Sequence, residues 1–171
     1  MGYWFFYNPV KDFSINLPGL DERPDSASAN KEYVNIGEFF QRFLSNPVTQ
    51  NQGKWTAFRG ANRDNINREK TPLMDKFPAG GPKILWSKEL GEGHAAPAIY
   101  DGQVYLLDYM EEEKSDALRC FSLETGEEIW RRSYKVHIKR NHGISRTVPA
   151  VNEQFIVTVG PKAQVMCSDR A

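Results

Sequence analysis

The chain has few of the residues that build compact chemical sites. Its 171 residues include two cysteines, Cys120 and Cys167, and three histidines, His94, His137 and His142. Two cysteines cannot form a disulfide framework, and by themselves they cannot form a zinc site. The histidines do not have the spacing of a compact zinc site either, so a metal held by them and one cysteine is only a distant alternative.

The chain also lacks an excess of charge of either sign. Its 22 lysines and arginines balance 22 aspartates and glutamates, and the longest run of like charge is Glu111–Glu113. A nucleic-acid surface needs a basic excess on one face, so no nucleic-acid partner is predicted.

Long apolar runs are missing as well. No stretch approaches the ~20 apolar residues of a membrane span, and no basic region followed by an apolar core marks a cleavable signal. The start, "MGYWFFYNP", is nevertheless rich in aromatic residues from Tyr3 to Tyr7. Such a cluster is typical of a membrane interface, and a terminus that docks on its own domain is an equal alternative.

Three regions follow one another along the chain. Residues 1–33 are predicted to form an irregular extension, since prolines and glycine interrupt every pattern. Residues 34–54 are predicted to hold one short helix and a linker. Apolar residues recur there at helical spacing until Asn46–Pro47 ends the pattern: Ile36, Phe39, Phe40, Phe43 and Leu44.

From residue 55 the pattern changes to short strands. "APAIYDGQVYLLDY" places an Asp101–Gly102 turn between two apolar runs, which indicates a hairpin. "ALRCFSL" is a further strand, and "LETGEEIW" is a turn at Thr125–Gly126 followed by a strand that carries Trp130. Residues 96–130 are therefore predicted to form four short antiparallel strands without a helix.

The pattern of strands then starts again. "VPAVNEQFIVTVG" matches "APAIYDGQVYLLD", and "KILWSKELGEGH" matches the segment around Trp130, which aligns Trp86 with Trp130 and His94 with His142. The period of roughly 45–50 residues with four strands is typical of propeller blades. The predicted fold is mainly β: antiparallel four-stranded blades of an incomplete β-propeller over residues 55–171, with one short N-terminal helix. One complete blade and parts of two others are expected.

Particular residues resemble a known family. Thr125–Gly126 followed by Trp130 resembles the tryptophan-docking repeat of the pyrroloquinoline-quinone-type β-propellers, and "PAIYDGQVYLLD" is similar to the first two strands of that repeat. "WTAFRGANRDN" is similar to the W-x-x-F-R-G start of bacterial PQQ-binding-like repeat proteins. The resemblance covers the chain from Trp55 onward.

The resemblance implies both an architecture and a location. Trp86, Gly126 and Trp130 would be structural docking residues between blades, and the remaining blades of a longer protein would be partners. The sequence stops inside a repeat, so the chain is expected to be the N-terminal piece of that protein. A periplasmic or membrane-anchored position outside the cytoplasm is implied in the same way.

Two functions remain open. The first is a scaffold or a ligand- or protein-binding module, not catalytic by itself, whose partners include another envelope protein or a small anionic ligand. The second is part of a quinoprotein-like alcohol or sugar dehydrogenase whose catalytic blades lie elsewhere. Pyrroloquinoline quinone and calcium are then possible in the full-length parent, although no residue of this chain can be assigned to either.

The loop "KRNHGISRTVPAV", residues 139–151, is the main candidate site. It would enter the innermost strand of a blade at the channel mouth, with "GEGHAAPAI" as its equivalent in the preceding repeat. The predicted ligand-binding residues are Asn141, His142, Arg146 and His94. Arg146 could hold an anion with its planar fork, and the charge of His142 could change near neutral pH. The alternative is that Arg146 and Asn141 hold neighbouring loops together.

A nucleophilic serine is not expected in this loop. A serine hydrolase presents Gly-x-Ser-x-Gly at a turn between strand and helix, whereas "GISRT" around Ser145 lacks the second glycine. No catalytic residue is therefore assigned.

Overall fold

The computed structural model describes residues 39–45, 49–70, 72–138 and 144–170. These residues form eight strands in two antiparallel sheets, and no helix occurs among them. All of them belong to one compact unit, Val34–Ala171. The chain is thus mainly β, as predicted, and its first 38 residues, with the aromatic cluster Tyr3–Tyr7, lie outside the described part.

Sheet 1 has five strands in the order β1-β5-β4-β3-β2. Their bounds are β1 Phe39–Arg42, β2 Ala98–Tyr100, β3 Gln103–Met110, β4 Ser115–Ser122 and β5 Glu128–Lys135. Four of the five follow one another as a meander, so the prediction of four antiparallel strands over residues 96–130 is confirmed.

Sheet 2 has three strands in the order β6-β7-β8. They are β6 Ala150–Val151, β7 Phe155–Val159 and β8 Val165–Asp169.

The two strongest hairpin signals of the sequence explain sheet 1: Asp101 and Gly102 both have positive φ, as in a type I′ turn, and Gly126 has φ 71° in the turn before β5.

The core lies between the two sheets. Period-2 alternation turns Tyr105, Cys120 and Trp130, which are paired across β3, β4 and β5, toward the same face of sheet 1. Ile156 and Met166 of sheet 2 pack into the same buried cluster. Each large apolar side chain buried in this way contributes about 1.5–3 kcal/mol, so the contact between the sheets is a main source of stability.

The predicted helix around Ile36–Leu44 is wrong where the structure describes it. Phe39–Arg42 is a strand that pairs antiparallel with β5, with Phe40 opposite Arg132 and Arg42 opposite Trp130. Aromatic residues suit a pleated, half-buried surface, and the edge of β5 supplies hydrogen-bond partners that a local helix pattern cannot reveal.

Sheet 2 keeps one apolar face open. Phe155, Val157, Val159 and Val165 are exposed large hydrophobic residues, and Cys167, paired with Val157 across β7 and β8, is exposed as well. Isolated exposed hydrophobic residues are ordinary, but an apolar row on one sheet face is a surface suited to contact with another element.

Within the described residues, no helix has the length and apolar character needed to cross a membrane.

Candidate functional site

Trp86 packs on the turn that precedes β5. A Cβ on Gly126 would lie 2.6 Å from Cδ2 of Trp86, so the indole fits only against a glycine. The indole Nε1 donates a hydrogen bond of 2.9 Å to the carbonyl of Leu123. In the predicted repeat pattern, Trp86 and this turn belong to successive repeats.

Trp130 occupies the corresponding position in the following repeat but has different surroundings. Its side chain is 2% exposed, and its ring centroid lies 6.1 Å from those of Tyr105 and Phe40. Its Nε1 is buried without a hydrogen-bond partner in the described structure. A buried N–H usually has an acceptor, and the equivalent atom of Trp86 has one.

The "WTAFRG" segment joins the edges of the two sheets. Trp55 and Ile99 of β2 exchange two backbone hydrogen bonds of 2.8 Å each, and Val151 of β6 donates one of 2.9 Å to the carbonyl of Thr56. Two consecutive residues thus bridge β2 and β6, which are edge strands of their sheets. This role explains why the segment starts as an extended chain.

The same segment then turns sharply. Arg59, Arg63 and Asn65 have φ values between 58° and 65°, in the left-handed region that L-residues seldom adopt. Gly60, with φ 81°, lies against the six-membered ring of Trp55, where a Cβ would be 3.1 Å from a ring carbon. Residues 59–65 therefore form a tight turn anchored by one tryptophan.

An open hollow of about 540 Å³ lies beside this turn. Its walls come from the turn and from the residues just before β2 and β6: Trp55, Phe58, Arg59, Asn65, Ala96, Pro97 and Val148. Phe58 and Arg59 are exposed. The hollow combines an apolar wall with one guanidinium and one amide, and it lies where the sequence predicted the two loops that enter the repeats.

The predicted site residues are only partly brought together. The backbone N–H of His94 donates a 2.9 Å hydrogen bond to the carbonyl of Ser145, so the two loops meet. His94 and Arg146 are both exposed. Asn141 and His142 lie outside the described residues. Neither His94 nor Arg146 lines the hollow; each lies two residues before one of its lining residues.

Ser145 ties the described part of the candidate loop to the sheets. The Ser145 hydroxyl donates a short hydrogen bond to Asp116 Oδ1, and the Tyr134 hydroxyl donates one of 2.5 Å to Oδ2. Gln164, in the turn of sheet 2, donates one of 3.0 Å to the Tyr134 oxygen. The loop is thus tied to both sheets through one buried carboxyl.

Asp116 was not among the residues that the sequence singled out. It is fully buried, and burial raises its pKa, which the nearby Asp108 raises further, although the hydrogen bonds from Ser145 and Tyr134 act in the opposite direction. The only sequence signal is an aspartate inside a strand with alternating apolar residues, which is rare without a partner.

The cysteines differ in environment. Cys120 is buried, and burial raises the pKa of its thiol above the ordinary value. Cys167 is exposed on the open face of sheet 2, and neither cysteine forms a disulfide. No group of three or more His, Cys, Asp or Glu side chains suited to a metal ion occurs in the part of the chain that the structure describes.

Comparison with known proteins gives no family for the chain. No protein-family model matches it, and no curated protein is significantly similar to it.

Proposed function

We propose that this chain is the N-terminal segment of a PQQ-like β-propeller repeat protein and acts as a scaffold and binding module, without catalysis of its own. The observation that carries the proposal is the contact of Trp86 with the turn at Gly126. An indole that stacks on a glycine and donates to a carbonyl of the next repeat is a docking contact between repeats, as the resemblance implies.

Two further features support repeat structure beyond the described strands. Trp130 repeats Trp86 in sequence, and its buried N–H has no acceptor in the described structure. A turn that completes sheet 2 beside the core would supply that acceptor, as Leu123 does for Trp86. The apolar row of Phe155, Val157 and Val159 faces away from sheet 1, and a further sheet, packed as sheet 2 packs on sheet 1, would cover it.

The binding role belongs to the hollow beside the 59–65 turn. The guanidinium of Arg59 is exposed, and the structure gives it no ion pair or side-chain hydrogen bond to another described residue. Arg146 is a second such cation, on the loop that enters β6. We assign to this region a small anionic ligand, held by guanidinium groups and covered by the ring of Phe58. By the same resemblance we place the parent protein outside the cytoplasm.

The scaffold proposal can be tested on the two cysteines, which form a matched pair within one chain. In the 171-residue chain, Ellman's reagent should react quickly with Cys167 and slowly with Cys120, because only Cys167 is exposed. In a product of the same reading frame extended beyond Ala171, Cys167 should become as slow as Cys120, since the next sheet would cover it.

The slow reaction of Cys120 in both products shows that each is folded. If Cys167 reacts equally fast in the extended product, the open face of sheet 2 is not a repeat interface, and the proposed role is wrong. Alkylation of the thiols that remain free, followed by mass spectrometry of the peptides, assigns each reaction to its cysteine.

A further inference from the structure

Strand β1 completes sheet 1 from a distant part of the sequence. It pairs with β5 over four residues, from Phe39 opposite Ser133 to Arg42 opposite Trp130. Phe43 and Leu44 add two backbone hydrogen bonds, of 2.8 and 3.1 Å, to the carbonyl of Ile129. Without β1, the edge of β5 would present its N–H and C=O groups to solvent, as a template for any extended chain.

The side chains of β1 hold the strand only loosely. Phe39, Phe40, Phe43 and Leu44 are each 36–49% exposed, so about half of each side chain contributes nothing to the attachment. Phe40 packs on Trp130, with the ring centroids 6.1 Å apart, and arginines lie over two rings: Arg132 is 5.1 Å from the centroid of Phe40, and Arg131 is 5.6 Å from that of Phe43. Such contacts are weak at exposed sites.

The chain beyond β1 has its own anchor. Thr49 packs against Gly102, and its hydroxyl and the N–H of Gln50 both bond to the carboxylate of Glu124, at 2.9 and 3.0 Å. The segment 39–44 can therefore leave β5 while the rest of the chain stays attached at Thr49. The loss would be confined to one edge of sheet 1.

We propose that the outer edge of β5 is a strand-acceptor site, and that it binds residues 39–44 of a second copy of this chain as well as its own. The partner follows from the pairing: an identical segment makes the same hydrogen bonds and the same arginine–ring contacts in trans as in cis. "FFQRFL" has high β propensity, one charge and no proline, which favours an extended strand. The result is a strand-exchanged dimer.

Cross-strand thiols test the exchange in the full-length chain. One variant carries Phe39→Cys and a size tag, and the other carries Ser133→Cys; both carry Cys167→Ser, which removes the exposed native thiol. Residues 39 and 133 face each other in the antiparallel pair, at a separation suited to a disulfide. The two variants are mixed, unfolded together in urea, refolded and oxidised.

The expected result is a disulfide-linked pair of one tagged and one untagged chain. It should form at least about tenfold more than when the partner carries Asp169→Cys, an exposed position on sheet 2, because paired strands hold the thiols at a high effective concentration. A single chain with both Phe39→Cys and Ser133→Cys should close the same bond internally, as the positive control.

Two outcomes overturn the proposal. If the double variant closes its internal bond but the mixture gives no linked pair above the Asp169→Cys control, β1 is a fixed fifth strand. If neither bond forms, the β1–β5 pairing itself is wrong. Gln41→Cys with Arg131→Cys repeats the measurement in the same register and retains every phenylalanine of β1, so the loss of Phe39 alone cannot account for a negative result seen with both pairs.

Discussion

Asp116 connects more of the structure than any other single residue near the candidate loop. It lies in β4, opposite Tyr134 of β5. Its carboxyl accepts hydrogen bonds from the hydroxyls of Tyr134 and of Ser145 in the loop. A buried carboxyl without such donors would be strongly destabilising. The same arrangement holds Tyr134 against Asp116, and burial together with this carboxyl raises the pKa of the tyrosine.

The raised pKa of Asp116 makes a prediction about the dependence of stability on pH. A carboxyl with a raised pKa in the folded state stabilises fully below the unfolded pKa of about 4, and this contribution is lost as pH rises through the folded pKa. The free energy of unfolding of the native chain, minus that of Asp116→Asn, should therefore decrease as pH rises through this window and level off above it.

Urea unfolding between acid and neutral pH measures this difference in the free energy of unfolding. The test uses the change of the difference with pH, so any constant effect of the asparagine amide at position 116 cancels. Asp169→Asn, at an exposed carboxyl, serves as the control for effects of an Asp→Asn substitution that do not depend on burial. A difference that increases with pH would contradict the raised pKa.

Gly126 carries the second prediction at the residue scale. Its φ of 71° and its contact with the Trp86 indole both exclude a side chain. Gly126→Ala should lower the free energy of unfolding by about 1–3 kcal/mol, since a strained backbone conformation costs that much. Gly80→Ala is the matched control, because nothing lies within 4 Å of a Cβ there and its φ is not positive.

Urea unfolding followed by tryptophan fluorescence measures the stability of both variants. Equal stability of the Gly126→Ala and Gly80→Ala chains would show that Trp86 does not dock on the turn.

At the scale of the elements, an ion network ties three strands of sheet 1 together. Arg119 of β4 binds Asp108 of β3 at 2.6 Å and Glu128 of β5 through both carboxylate oxygens. Arg131 binds the same glutamate at 2.8 and 3.0 Å. Burial opposes ionisation of Glu128, yet the hydrogen bonds from Arg131 and Arg119 leave its pKa below the ordinary value.

Removing the charge of Glu128 should therefore destabilise the sheet. Glu128→Gln leaves two arginines with one remaining carboxylate, that of Asp108, and breaking a largely buried pair costs up to about 3 kcal/mol. Glu127→Gln, one residue earlier and exposed, should change the free energy of unfolding by less than about 0.5 kcal/mol. Urea titrations give the free energy of unfolding of each variant. Equal losses in the two variants would mean that the network stabilises the sheet no more than an exposed ion pair would.

The elements also show which signals the sequence carried. The hairpins of sheet 1 were predictable because Asp101–Gly102 and Thr125–Gly126 are local turn signals flanked by alternating apolar residues. The segment around Phe39 and Phe40 was mispredicted as a helix because its apolar residues recur at helical spacing. The segment is a strand because it pairs with β5, which lies roughly 90 residues later in the sequence. No local pattern contains that information.

At the scale of the whole molecule, two sets of polar contacts connect the sheets. One is the Asp116 cluster, and the other is Arg170, just after β8. Arg170 bonds to the carbonyl of Glu153 at 3.1 Å and to Asp101 at 3.3 Å, and its guanidinium lies 5.0 Å from the ring centroid of Tyr100. The arrangement of the sheets fixes the geometry of the hollow, because the loops entering β2 and β6 both line it.

The anionic ligand assigned to that hollow can be tested on the full chain with inorganic phosphate and citrate as probes. Arg59→Gln should weaken binding about tenfold, since a hydrogen bond to a charged group contributes roughly 1.5–3 kcal/mol. Arg146→Gln, two residues before the lining residue Val148, should weaken binding by a smaller factor. Lys83→Gln, an exposed cation that does not line the hollow, should leave the dissociation constant unchanged.

Titration calorimetry gives the three constants, and unfolding midpoints show whether each variant is folded. If both arginine variants bind the probes as tightly as the native chain does, the hollow does not hold an anion through these groups.

The sequence by itself determined what depends on neighbours in the chain: the meander of β2–β5, its turns, the repeat of Trp86 at Trp130, and the position of the loop that precedes β6. Only the tertiary structure decided which residues meet across long separations. It placed Phe39 on β5, Ser145 on Asp116, and Trp55 between β2 and β6. The physical reason is that turn conformations and side-chain periods are local, whereas strand edges and buried carboxyls are satisfied by any suitable partner that the fold brings close.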